Sequence, residues 1–153
     1  MKTPLISLFV FFISLTSFAQ TDDGKTMGPI LKDALNYIET VESKGYEIVR
    51  IEFDILKTDK ETFRTLSAGW TYDVYAFGDY RFQDLDVSVY KLEDDGSHSS
   101  IPISTSSPHD GYSRTALVTI KPLITASYEI VIKANSYTSD NSGGHYGLII
   151  FHE

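Results

Sequence analysis

Residues 70–77, WTYDVYAF, limit the fold of this chain more than any other stretch. Trp70, Tyr72, Val74 and Ala76 make one face apolar or aromatic, and Tyr75 and Phe77 repeat that character on the other. Successive strand residues point to opposite faces. A strand that is apolar on both must be covered on both, which places it inside a sheet. Gly78-Asp79 begins a turn. Residues 84–90 form the next strand, with Leu85, Val87 and Val89 on one face and Asp86, Ser88 and Tyr90 on the other.

The flanking sequence supplies further short strands. Val49, Ile51, Phe53 and Ile55 alternate with Arg50, Glu52 and Asp54, the period of a half-buried strand. Residues 62–66, 115–120, 128–133 and 146–151 read as strands as well, and 101–104 as a short candidate. Glu93 to Gly96 makes an acidic turn, and residues 135–144 a long polar one. A single helix precedes them. Gly28-Pro29 opens it, since Pro loses no helical hydrogen bond at the first position. Ile30, Ala34, Ile38 and Val41 follow at helical spacing with Leu31 and Leu35 beside them, and Gly45 stops it. The expected architecture is all-β: a jelly-roll-like sandwich of about seven or eight strands over residues 46–153, with a helix over 28–45 packed on it.

Residues 1–19 stand outside that fold. Lys2 gives a positive start, residues 5–18 are an apolar run too short to span a bilayer comfortably, and Ser17-Phe18-Ala19 is a small-x-small cleavage site. This reads as a secretory signal peptide; the competing reading is a membrane anchor. Residues 20–27 would be a polar lead-in. The expected location is secreted or periplasmic, with no membrane insertion after cleavage. Losing Lys2 with the leader takes the formal net charge from −8 to −9. Such a surface repels nucleic acid phosphates and anionic headgroups, so no nucleic acid partner is expected. The chain has no cysteine. It therefore has no disulfide, no thiol nucleophile, no thiolate metal site and no lipobox thiol, and its stability rests on its core.

Gly69-Trp70, Tyr72, Val74 and Ala76, then Asp84-Leu85-Asp86-Val87 with Val89-Tyr90, then residues 128–132 and Tyr146-Gly147-Leu148, form a pattern. It resembles the bacterial pre-peptidase C-terminal domain over about residues 66–151. That resemblance implies a secreted jelly-roll sandwich, related in shape to carbohydrate-binding modules and not itself catalytic. Members of the family usually accompany a secreted hydrolase. Here only a helix and a leader precede the sandwich, which fits a binding or accessory protein better than a passenger on an enzyme.

Three constellations are candidates for chemistry. Asp84 and Asp86 share a strand face, and Asp79 across the turn is placed to close on them. Calcium takes six to eight oxygens from carboxylates and loop carbonyls, so these three are the candidate ligands of a structural calcium ion. The competing reading is that Asp86 accepts backbone hydrogen bonds from an adjacent loop, a structural role, and that Asp94-Asp95-Gly96 is a common acidic turn. Tyr80, Tyr112, Tyr137 and Tyr146 lie in or beside predicted turns, where an amphipathic ring needs a partner. They are the candidate ligand-binding residues for a glycan. His98, His109, His145 and His152 show neither zinc spacing nor an H-E-x-x-H motif. No G-x-S-x-G elbow is present. The expectation is a non-catalytic binding or accessory protein for a glycan or an exported protein. The alternatives are a hydrolase acting through carboxylates and a subunit of a cell-envelope assembly, the latter marked by an exposed apolar face on the helix.

Overall fold

A computed structural model describes residues 27–99, 102–106, 113–138 and 142–153. Among these residues one helix, α1 (Gly28–Ser43), precedes eight strands: β1 (Glu47–Leu56), β2 (Asp59–Leu66), β3 (Tyr72–Gly78), β4 (Phe82–Lys91), β5 (Ser104–Thr105), β6 (Thr115–Ile120), β7 (Ala126–Tyr137) and β8 (Gly144–His152). They form two four-stranded sheets, ordered β1-β8-β3-β6 and β2-β7-β4-β5, with antiparallel pairing throughout. Every pair of consecutive strands except β4 and β5, which pair with each other, passes from sheet to sheet, which is the double Greek key of a jelly roll.

Each sheet turns one face inward. Val74 and Ala76 of β3 and Leu148 and Ile150 of β8 meet Leu85, Val87 and Val89 of β4 and Ile130 and Ile132 of β7, all nearly or wholly inaccessible. A second apolar layer lies outside the first sheet. There α1 lays Ile30, Ala34 and Val41 on Phe77, Ile149 and Phe151. Strand β3 is thus covered on both faces, as its two-sided apolar pattern requires. Gly147 makes the helix layer fit: a Cβ there would lie 2.3 Å from the Phe77 ring, so only glycine lets that ring rest on β8. Gly45, at φ 81°, supplies the left-handed turn that ends the helix.

Several elements differ from the sequence reading. Strand β7 runs on to Tyr137 and β8 begins at Gly144, so both take up residues expected in a long turn. Trp70 precedes β3 and lies half exposed against His152, ring centroids 4.3 Å apart. In β1 a bulge between Ile48 and Arg50 resets the face. Arg50, Glu52 and Asp54 then pair with inward-facing Ile150, Leu148 and Tyr146 and point into the mouth between the sheets. Ile51 and Ile55 turn outward, exposed. The charges are tolerated because β1 is an edge strand and they satisfy one another. Arg50 Nε donates to Glu52 at 3.0 Å, Tyr146 Oη donates to it at 2.8 Å, and Lys60 Nζ reaches Asp54 at 2.7 Å.

Candidate functional site

Asp84 and Asp86 are brought together as their spacing predicts, and one residue holds both. Asn135 of β7 donates its side-chain amide to Asp84 Oδ2 at 3.2 Å and to Asp86 Oδ2. Ser106 Oγ donates to Asp86 Oδ1 at 3.3 Å, and the Ser113 backbone N–H to Asp84 Oδ1 at 3.4 Å. The pair faces a cleft of about 360 Å³ along the edge where β4, β5 and β6 meet. Besides the aspartates its walls carry the hydroxyls of Ser104, Thr105, Ser106, Ser113, Thr115 and Thr119. The cleft exists because β5 is only two residues long and covers little of β4.

Asp79 does not join this pair. Its carboxylate accepts the Arg81 backbone N–H at 3.0 Å, Arg81 Nε at 3.0 Å and the His145 backbone N–H at 2.9 Å, and ion-pairs with the Arg81 guanidinium. Burial alone would raise the Asp79 carboxyl. The hydrogen bonds from Arg81 and His145, with the Arg81 charge, outweigh burial and hold it below the usual carboxylate range. Asp79 thereby clamps the β3–β4 turn to the start of β8. Among the described residues no three acidic or histidine side chains are grouped to hold a metal ion.

The four candidate tyrosines separate. Tyr146 is wholly buried in β8, and its hydroxyl is spent on Glu52. Tyr137 ends β7 with its hydroxyl on the Leu56 and Lys57 carbonyls at 3.0 and 2.6 Å, tying down the β1–β2 turn. Both rings serve the fold, because the strands reach further than the turn residues indicated. Tyr80 is exposed in the β3–β4 turn. Tyr112 and His109 lie outside the described residues. His145 is buried against Arg81. His98 stacks on Tyr90, with Nδ1 against the Glu129 carboxylate, which is buried on the outer face of β7. His152 packs against Trp70 and Tyr72. The residues missed by sequence reasoning are Asn135, Ser106 and Ser113. Only strand register brings them to the aspartates, and no spacing in the chain encodes it.

A second cleft, of about 500 Å³, adjoins the first and shares Ser104 and Thr119 with it. Ile103, Ile120, Pro122, Leu123, Ile124 and Tyr128 line it, with Lys91 and Lys121 beside them.

No family model matches the chain, and neither does any curated protein. Among solved structures it is similar to a protein of Sulfurospirillum deleyianum, at 8% identity and a TM-score of 0.43, over 68% of this chain and 98% of that one.

Proposed function

We propose that this is an exported, non-catalytic binding module that takes a glycan in the β4–β5–β6 cleft. One observation carries the reading: two neighbouring carboxylates, oriented by a shared amide, open into a cleft whose walls carry six side-chain hydroxyls beside the apolar and aromatic surface of Tyr75, Leu117 and Val118. Carboxylates aligned as acceptors receive the paired hydroxyls of a sugar, and side-chain hydroxyls serve as both donors and acceptors to the rest. The cleft's volume falls in the range of small-ligand sites. Asp84 and Asp86 leave the same strand face in parallel. A glycosidase needs its two carboxyls on opposite sides of the scissile bond, so the arrangement favours binding over hydrolysis. The pre-peptidase C-terminal resemblance belongs to this reading. Its Tyr72, Val74, Tyr128, Tyr146 and Leu148 all fall on buried strand positions of a jelly roll.

Affinity electrophoresis through soluble neutral polysaccharides (a β-glucan, a mannan, a xylan) tests it. At least one retards the protein, and Asp86→Asn with Asn135→Ala abolishes the retardation. Equal mobility in every gel rejects glycan binding, and retardation indifferent to both substitutions rejects this cleft.

A second reading, a subunit of a larger envelope assembly, is favoured by α1 itself. Leu31 and Leu35, one turn apart, are 47% and 55% exposed. On this reading Leu35→Glu lowers the mass measured by light scattering, and an unchanged monomer mass for both proteins counts against it.

A further inference from the structure

The cleft at the end of β6 is built differently from the aspartate cleft: its lining is mostly apolar and holds lysines in place of carboxylates. Leu123 is 93% exposed, Ile124 and Ile103 about half so, and Lys91 and Lys121 stand at its rim. Large apolar side chains held this far into water need a reason. The backbone that carries Ile124 is also held in place. Tyr128 Oη donates to the Ile124 carbonyl at 3.1 Å, and the Ala68 backbone N–H donates to Thr125 Oγ1 at 2.9 Å. The segment between Ile120 and Ala126 is thus held at Ile124 and Thr125, with Leu123 and Ile124 exposed. Lys91 shares its charge with Glu93 at 3.1 Å, which leaves Lys121 as the cation offered to a ligand.

The geometry points to a binding site for a small amphipathic anion: an apolar tail or ring against Ile103, Ile120, Leu123 and Ile124, with a carboxylate at Lys121. Charge complementarity selects the anion. In a chain of net charge −8, the charged side chains lining this cleft are both lysines, which favours a negative head group there. No carboxylate lines this cleft to receive sugar hydroxyls, so this ligand is separate from the one proposed for the aspartate cleft.

Octanoate, 1-octanol and octylamine share a tail and differ in head group, and they are the probes. Titrations of the isotope-labelled protein followed by amide chemical shifts read both affinity and place. Octanoate is expected to saturate shifts around Lys121, Leu123 and Ile124 and to bind roughly tenfold tighter than octylamine, since one head group is attracted and the other repelled. Lys121→Gln weakens octanoate about threefold, the size of an exposed ion pair, and leaves octanol unchanged. Leu123→Ser weakens all three, and because Leu123 is solvent-exposed this variant folds normally. Asp86→Asn leaves octanoate binding intact, so failure of the glycan reading and failure of this one are distinguishable. The proposal is overturned by non-saturating shifts, by equal affinity for octanoate and octylamine, or by concentration-dependent shifts centred on Leu123 without any probe, which would make the patch a contact between copies of the chain.

Discussion

The two edges of the sandwich have the same architecture and opposite fates. At one edge β1 and β2 belong to different sheets and are joined by only Lys57 and Thr58, so the sheets are drawn together there. Glu52 lies in that mouth, bonded to Arg50 and Tyr146 with Thr62 at 3.4 Å, and Lys60 bridges to Asp54. At the other edge β5 and β6 are nine residues apart in sequence, β5 is two residues long, and two clefts lie open. Polar groups at the first edge have their partners within the fold. At the second they are oriented by the fold and left facing space. On the proposed reading, function belongs to the edge where hydrogen bonding is arranged but not closed, and stability to the edge where it is closed.

The largest effect that sharpens this contrast is at the sealed edge. Glu52→Ala leaves the Arg50 guanidinium and the buried Tyr146 hydroxyl without their acceptor, and should cost about 2 kcal/mol, the penalty of stranding buried donors. In a domain of this size that is a fall in Tm of roughly 6–10 °C, read by calorimetry. A loss below 1 °C would mean water replaces the carboxylate freely and the edge is not sealed.

Acid separates the edges next. Burial pushes the Glu52 carboxyl up, but hydrogen bonds from Arg50, Tyr146 and Thr62 with the Arg50 charge overcome it and hold the carboxyl below its usual range. A carboxyl depressed in the folded state stabilises fully above its unfolded value. That stability is lost as pH falls below about 4 and through the folded value. Asp79 acts in the same direction. Wild type should therefore lose Tm steeply below about pH 4, and Glu52→Gln should show a shallower acid limb. Parallel limbs for the two proteins would remove Glu52 from the account.

How much of this the sequence made legible depends on whether a residue's role is local. Gly28-Pro29 and the Ile30, Ala34, Val41 spacing define α1, and the two-sided apolar run defines β3, because each pattern carries its own period. Strand β1 misled, since its apolar alternation is real but the bulge after Ile48 leaves Val49 on the inner core and turns Ile51, Phe53 and Ile55 outward and Glu52 inward. A bulge leaves no mark on periodicity. Tyr146 and Tyr137 looked like turn residues because polar composition around residues 138–144 hides how far β7 and β8 extend. The Asp84–Asp86 pair was legible as neighbours on one strand face. Asn135 was not, because only the β4–β7 register supplies it.

At the open edge stability effects should be small and binding effects large. Asp86→Asn keeps the shape and removes one charge from a partly exposed pair, so its Tm should stay within about 2 °C of wild type, as surface substitutions do. Its polysaccharide retardation should vanish all the same. A drop as large as that of Glu52→Ala would make Asp86 a structural residue and erase the difference between the edges.

The smallest expected effect is that of calcium. The ion takes six to eight oxygens, and the aspartate cleft offers two carboxylates with an amide N–H donor already between them, while Asp79 is committed to Arg81 and His145. Melting with EDTA and then with millimolar calcium should agree to about 1 °C, since ligand linkage raises Tm only in proportion to binding. A rise of several degrees, lost in Asp84→Ala, would require Asn135 to turn its amide over. Its carbonyl oxygen would then face the ion, and its nitrogen would no longer hold the pair. The open edge would then be a cation site completed by the same side chain that orders it when empty, and glycan binding would have to be measured again with calcium present.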